Sequence, residues 1–157
     1  FELLRVLDNY LALPLSLLED ARAIARRPAF GWLGNARRKP HGGFEYRTPA
    51  SWLATPDVAR GIIALAKLIA ADYRLLRKRP LDGLHMQQAY YEADKAKLRE
   101  ALPAWRRDIA RCPTYRLCEE ELKPLIELLE SGWTWDESAD IRPAWGITAR
   151  HAVSIRT

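Results

Sequence analysis

The chain has 157 residues, and its 25 Lys and Arg against 20 Asp and Glu give a formal charge of 25 − 20 = +5. With 48% hydrophobic and 29% charged residues, the composition is that of a packed domain and excludes low-complexity, collagen-like and largely disordered chains. Asp57, Arg60 and Lys67 interrupt the longest apolar stretch, so no segment reaches the roughly 20 apolar residues that cross a bilayer.

The cysteines and the start of the chain bear on its compartment and completeness. Cys112 and Cys118 are too few for a disulfide scaffold, and the start lacks a signal-like region, which together predict a cytoplasmic protein. These cysteines also lack the spacing of a zinc site, so we expect no structural metal. Phe1 lies within an apolar periodic run over residues 1–11, which predicts a piece of a longer protein.

Helical spacing and chain breakers predict the first elements. Apolar positions three and four apart predict a helix over residues 2–12, ended by Pro14. Ser16 and Glu19 fit the S-x-x-E capping box, which predicts a second helix over residues 16–27.

The next segment predicts a loop and a strand. Residues 28–43 are rich in Gly and Pro, which indicates an extended or looping segment without a helix. Residues 44–48 alternate apolar and charged side chains, as a strand does. Because alternate residues of a strand point the same way, we expect Glu45 and Arg47 side by side on one face.

The sequence Thr55-Pro56-Asp57 predicts a helix start, from a hydroxyl cap, a fixed φ and a carboxylate near the positive end of the dipole. This helix should run to about Arg79, just before a proline. Its predicted buried stripe consists of Val58, Ile62, Leu65, Ile69 and Leu76.

The C-terminal half is also predicted to be helical. Helical register across Pro103 over residues 91–109 indicates either a kinked helix or two abutting helices. A last helix should close at Gly132, a residue suited to the left-handed cap. We expect an α+β, mainly α-helical fold, with residues 1–132 as one unit and residues 133–157 as an irregular tail, including one short strand near 152–155.

The predicted strand carries the chemistry of most interest. A carboxylate on a rigid strand, here Glu45, is a suitable oxygen ligand for Mg²⁺. The planar guanidinium of Arg47 can hold phosphoryl oxygens in a bidentate manner. Together they favour a site for a metal-bound phosphate.

The pattern Glu45-x-Arg47-x-Pro49, followed by a short loop and a helix, resembles the E-x-R-x-P strand of the glutamine synthetase and glutamate–cysteine ligase superfamily. More closely, the chain is similar to the C-terminal half of phage-type carboxylate–amine ligases, the type 2 amidoligases. The similar segments are LPL at 13–15, LLED at 17–20, a basic proline-bearing loop, and GFEYRTPASWL at 43–53, all within residues 1–80.

The resemblance implies the C-terminal part of a glutamine synthetase-like catalytic fold. It implies ATP- and Mg²⁺-dependent joining of a small-molecule or peptide carboxylate to an amine through an acyl phosphate. By position in the motif, Glu45 would bind the metal and Arg47 would stabilise the transferred phosphoryl group. The candidates for binding nucleotide or substrate phosphate are Arg37, Arg38 and Lys39.

The superfamily takes further carboxylates from strands that precede this region, and the sequence shows none of those strands. The resemblance therefore implies the missing N-terminal half of the same domain as a partner. We expect the fragment alone to be inactive or nearly so, because one carboxylate binds Mg²⁺ weakly.

Other interpretations stay open. Glu45 and Arg47 could form a surface ion pair worth at most about 1 kcal/mol, and His41 could be solvated or touch substrate. Three aromatic residues near the strand could stack on adenine, with core packing as the default: Trp32, Tyr46 and Trp52.

A rival from another class is a basic helical module that binds nucleic acid without catalysis. Arginine- and lysine-rich helix ends can contact phosphate backbones, although they also complement helix dipoles. The two basic clusters are Arg74, Arg77, Lys78 and Arg79, and Arg106, Arg107 and Arg111.

Overall fold

The computed structural model describes residues 2–148, which fold into a mainly helical α+β structure. The predicted fold class is confirmed. A π-helical segment, Asp8–Ala12, joins α1 to α2, and a short 3-10 helix, Pro80–Asp82, precedes α5. The helices and strands are α1 (Glu2–Leu7), α2 (Leu13–Leu18), α3 (Ala21–Ala25), β1 (Ala36–Arg38), β2 (Phe44–Tyr46), α4 (Pro56–Asp72), α5 (Leu84–Glu92), α6 (Lys95–Arg99), α7 (Leu102–Ala110) and α8 (Tyr115–Ser131).

The first two helices are continuous, so the predicted helix end at Pro14 was wrong. In the π-helical segment the N–H of Leu13 donates to the carbonyl of Asp8, five residues back. Pro14 then falls in the first turn of α2, where its missing N–H is tolerated. The carbonyl of Tyr10, four residues before the proline, instead accepts the Nε1–H of Trp105 at 3.0 Å. Helix continuity therefore depends on a partner distant in sequence.

The second predicted helix, over residues 16–27, was wrong in its boundaries. The backbone becomes extended at Glu19, and Asp20 caps α3 by accepting the N–H of Ala23 at 2.9 Å. Ser16 is buried in α2, and its hydroxyl donates to a carbonyl of the same helix. Ser16 and Glu19 thus form no capping box, because Glu19 is used in a buried ion pair described below.

Strands β1 and β2 form an antiparallel hairpin in which Arg37 pairs with Glu45. The strand predicted over residues 44–48 is present but shorter, although the N–H of Arg47 still donates to the carbonyl of Asn35 at 2.8 Å. Residues 28–43 contain no helix, as predicted, and they contain β1. The extended segment is therefore the partner strand that presents basic side chains to β2.

Helix α4 begins as predicted, since the hydroxyl of Thr55 accepts the N–H of Val58 at 3.2 Å. All five residues of the predicted stripe are buried, and α4 packs along α8. The helix ends at Asp72 rather than near Arg79, because the chain then turns, with the N–H of Leu75 donating to the carbonyl of Asp72 at 2.8 Å.

The C-terminal helices follow the second of the two predicted forms. α6 and α7 are separate abutting helices, with Pro103 in the first turn of α7. Helix α8 closes at Gly132, whose φ of +77° is left-handed, as predicted. Cys112 and Cys118 are buried free thiols.

Residues 133–148 contain no helix or strand, yet Trp135 is buried. The backbone N–H of Trp135 donates to the carbonyl of Leu18 at 3.0 Å. The division at residue 132 stays a prediction, and the strand predicted near 152–155 lies outside the described residues. Within residues 2–148 no helix is long and apolar enough to span a membrane.

Candidate functional site

The hairpin brings Glu45 together with three of the basic residues singled out from the sequence. Its Oε2 lies 2.7 Å from Nη2 of Arg37 and 2.5 Å from Nζ of Lys39. Its Oε1 lies 3.6 Å from Nε of Arg47. Glu45 and Arg47 therefore share one face, as the alternation predicted. Arg38, the last residue of β1, lies between Arg37 and Lys39 in the chain and is exposed.

These contacts keep Glu45 ionised. Hydrogen bonds from Lys39 and then Arg37, aided by their charges, lower the pKa of Glu45 to about 2. At neutral pH one carboxylate thus faces three cations, and the hairpin carries a local excess of positive charge. Such an arrangement attracts anions.

The turn between the strands is compact and exposed. The N–H of Lys39 donates to the carbonyl of Gly43 at 2.8 Å, and Gly42 adopts a φ of +86° that suits glycine. His41 lies exposed at the tip of this turn, outside the cluster around Glu45.

An open pocket of about 370 Å³ lies beside the cluster. Glu45 and Arg47 both line it, together with Phe30 from the loop before β1 and Arg26 from the end of α3. The guanidinium of Arg47 stacks on the Phe30 ring, with its carbon 4.3 Å from the ring centroid. The two motif residues therefore face an accessible space.

Sequence reasoning missed Arg26 and Phe30 as residues of this pocket. Both precede the motif by many residues, and no local pattern connects them to it. Of the three aromatic candidates, Trp32 is nearly half exposed. Trp52 and Tyr46 pack partly against the core, which was the default expectation, and Tyr46 also borders the pocket.

Behind β2, a buried carboxylate anchors the hairpin, and sequence reasoning missed it too. Asp8 accepts the hydroxyl of Tyr46 at 2.7 Å and the N–H of Gly34 at 3.0 Å. Burial raises the pKa of Asp8, against the lowering effect of these hydrogen bonds. Burial also raises the pKa of Tyr46, and the negative charge of Asp8 raises it further. Asp8 thereby holds Tyr46, the last residue of β2, and so positions the chain directly before Arg47.

A buried ion pair positions the chain just after the motif. Nη2 of Arg27 lies 2.5 Å from Oε2 of Glu19, and both side chains are 2% exposed. The other oxygen of Glu19 accepts the N–H of Ala50 at 3.1 Å. The acid of the LLED segment thus connects α2 to the end of the E-x-R-x-P strand.

The two basic clusters considered for nucleic acid lie in separate grooves. One groove of about 720 Å³ is lined by Glu2, Arg5, Arg74, Arg77 and Arg79. Arg106 and Arg107 line another groove of about 640 Å³ between α7 and α8, where Arg106 pairs with Glu130. Neither groove is lined by residues of both clusters.

The residues fit Mg²⁺ only as part of a larger shell. Among residues 2–148, no three His, Cys, Asp or Glu side chains are arranged to hold a metal ion. Glu45 supplies one ionised oxygen ligand, and magnesium in nucleotide sites is often held by one or two carboxylates plus phosphates. Glu45 thus fits a metal that phosphates bring with them, and the described residues do not form an independent magnesium site.

The geometry defines a class of protein: a mainly helical α+β fold that presents an E-x-R hairpin and its basic partner strand beside an open pocket. A family model described as phage phiEco32-like COOH.NH2 ligase-type 2 matches residues 1–147. The chain belongs to this family of carboxylate–amine ligases, as its resemblance to the type 2 amidoligases indicated, and the match extends well beyond residues 1–80. No curated protein and no solved structure matched the chain.

Proposed function

We propose that this chain forms the phosphate-binding part of an ATP- and Mg²⁺-dependent carboxylate–amine ligase site. The observation that carries the proposal is that Glu45 and Arg47 line one open pocket while Glu45 also pairs with Arg37 and Lys39. Membership of the ligase family supports it. The carboxylate and amine substrates are small molecules or peptides.

In the proposed reaction, an oxygen of the acid substrate attacks the terminal phosphorus of ATP, and the bond from phosphorus to ADP breaks. The amine nitrogen then attacks the acyl carbon, phosphate leaves, and the nitrogen loses a proton. Negative charge grows on the transferred group, so a fixed cation accelerates the first step. The Phe30 ring and Glu45 hold the guanidinium of Arg47 at the pocket, and this position supports the proposed role of Arg47.

The basic residues of β1 and its turn would bind the remaining phosphate charge. Arg37 and Lys39 are held near the pocket by Glu45, and an incoming phosphate would compete with that carboxylate for them. Arg38 is a further candidate on the same strand. Such competition would leave the oxygens of Glu45 available to the metal, which supplies Lewis-acid neutralisation of phosphate charge when bound.

The proposal includes little or no activity for the chain alone. A magnesium–nucleotide site needs further oxygen ligands. Within residues 2–148, Glu45 is the one carboxylate in the cluster with Arg37, Lys39 and Arg47. The additional carboxylates would come from a partner segment, which we propose to be the N-terminal half of the same domain.

The test uses full-length protein with Mg²⁺, ATP and a mixture of amino acids as acids and amines, with release of ADP as the readout. Glu45→Ala and Arg47→Ala should each abolish release while the melting temperature stays close to that of the unaltered protein. Arg60→Ala is the matched control, because Arg60 pairs with Asp57 on the surface of α4. Unchanged release in both site variants would remove the assignment.

A second candidate function is nucleic-acid binding, which the arginine-lined groove at Arg5, Arg74, Arg77 and Arg79 favours. Binding through phosphates falls steeply with salt. Affinity for a DNA or RNA duplex that drops with salt and is weakened by Arg77→Gln but not by Glu45→Ala would support this candidate. No binding at low ionic strength would dispose of it.

A further inference from the structure

Two guanidinium groups lie close to the ring of Phe30, which is an exposed aromatic residue. The guanidinium carbon of Arg47 lies 4.3 Å from the centroid of the ring, and that of Arg26 lies 5.6 Å from it. All three side chains line the 370 Å³ pocket. Two like charges beside one ring repel each other, so the arrangement favours an anion between or beside them.

Nε of Arg26 and Nε of Arg47 make no hydrogen bond, although Nε of Arg47 lies 3.6 Å from Oε1 of Glu45. Among residues 2–148, three buried side-chain nitrogen or oxygen atoms lack a hydrogen-bond partner, and two of these are Nε of Arg26 and Nε of Arg47. An unpaired buried donor is costly, more so in a charged group. Because both side chains line one pocket, an oxyanion bound there would supply acceptors to both guanidinium groups.

The backbone fixes Arg26 in this position. Its Nη2 donates to the carbonyl of Thr48 at 3.1 Å, and its Nη1 donates to the carbonyl of Phe30 at 3.3 Å. Gly31 makes this approach possible, because a Cβ there would lie 3.0 Å from Nη1 of Arg26 and 2.9 Å from the Thr48 carbonyl. The guanidinium is thus preorganised at the pocket.

The charges around the pocket favour a doubly charged oxyanion. The charge of Glu45 is already shared with Arg37 and Lys39. The other acid of the pocket is Glu137, whose Oε2 accepts the Nε1–H of Trp135 at 3.0 Å. Arg26 and Arg47 of the pocket, with Arg37 and Lys39 beside it, carry four positive charges against the two negative charges of Glu45 and Glu137. This excess of positive charge suits a phosphoryl dianion better than a single carboxylate.

We propose that Arg26 and Arg47 bind one phosphoryl group between them, which makes Arg26 the second guanidinium of the site. Arg26 lies outside the E-x-R-x-P motif. The identity of the group as the one transferred from ATP rests on the proposed function, whereas the binding of a phosphoryl dianion rests on the pocket alone.

The first experiment observes the Nε–H groups of Arg26 and Arg47 directly. Arginine Nε–H resonances of the ¹⁵N-labelled chain, assigned through the side-chain bonds, are followed while inorganic phosphate is added at pH 8. Both Arg26 and Arg47 should shift along one titration curve with a single dissociation constant, and sodium acetate should shift them at least tenfold less effectively. A shift of Arg47 alone, or equal effects of acetate and phosphate, would overturn the proposal.

The second experiment tests the fork geometry. Arg26→Lys keeps the charge but loses the planar fork, so phosphate affinity should fall at least tenfold, as it should for Arg47→Lys. Arg60→Lys on α4 is the control and should bind phosphate as the unaltered chain does. Phosphate binding by a folded Arg26→Lys variant that matches this control would overturn the proposal. The resonance shifts of the unaltered chain decide the question if the variant does not fold.

Failure of this proposal can be separated from failure of the proposed function. Shifts at both arginines with no ADP release from full-length protein would retain the phosphoryl site and reject the ligase site. ADP release that depends on Arg47 but is unchanged in Arg26→Lys would retain the ligase site and reject the role of Arg26.

Discussion

The indole of Trp105 on α7 donates its Nε1–H to the backbone carbonyl of Tyr10 at 3.0 Å. Pro14, four residues after Tyr10, has no N–H to donate to this carbonyl. Trp105→Phe removes this donor within a buried site, and we expect the free energy of unfolding to fall by about 1–3 kcal/mol. Urea denaturation followed by circular dichroism measures the loss. Trp145→Phe is the control, since Trp145 is more exposed and donates to the carbonyl of Leu53. Equal losses in both variants would contradict the role of Trp105.

The buried pair of Glu19 and Arg27 gives a second prediction. Arg27→Met leaves the charge of Glu19 buried without its partner, and such changes cost about 3–5 kcal/mol. The double variant Glu19→Gln with Arg27→Met should recover part of this loss, because no net charge then remains buried. Thermal unfolding measures both. Arg60→Met serves as the control, since its exposed pair with Asp57 is worth about 0–1 kcal/mol. A double variant less stable than Arg27→Met would refute the charge argument.

The contact between α4 and α8 gives a third prediction. Gly61 faces Leu125 so closely that an added Cβ would lie 2.6 Å from the Cβ of Leu125 and 3.1 Å from the carbonyl of Glu121. Overpacking of this kind costs about 1–3 kcal/mol, so Gly61→Ala should destabilise the protein even though alanine favours helix. Combination with Leu125→Gly, the change that removes this Cβ, should relieve the shortest contact, which a double-mutant cycle detects as favourable coupling. Ile63→Ala, at an exposed position of α4, should change stability by no more than about 0.5 kcal/mol. Strict additivity in the cycle would show that the helices move apart instead.

Local rules predicted those parts of the fold and site that local chemistry decides. Thr55 caps α4 because its hydroxyl reaches an N–H three residues ahead, and Gly132 closes α8 because glycine tolerates positive φ. Glu45 and Arg47 share a face because a strand has a period of two. These relationships need no knowledge of the tertiary structure.

The remaining features depend on contacts between residues distant in sequence. Pro14 fails to end a helix because Trp105 satisfies a carbonyl from another helix. Arg26 joins the site through the carbonyl of Thr48 and the ring of Phe30, and no periodicity connects α3 with β2. Sequence patterns could therefore locate the motif but not the pocket that surrounds it.

The ion pairs of Glu45 give a prediction about pH. Its pKa in the folded protein, about 2, lies below the ordinary value of 4.5, so the folded state binds the proton more weakly than the unfolded state. The stabilisation is therefore complete above about pH 4.5 and is lost as the pH falls through about 2. The carboxyl carbon resonance of Glu45 should titrate near pH 2, and Lys39→Gln, which removes the leading hydrogen bond, should raise that midpoint. Arg60→Gln should leave it unchanged. A midpoint near 4.5 in the unaltered protein would mean that Arg37 and Lys39 do not hold Glu45 in solution, and the competition for these cations that we propose for phosphate binding would then have no basis.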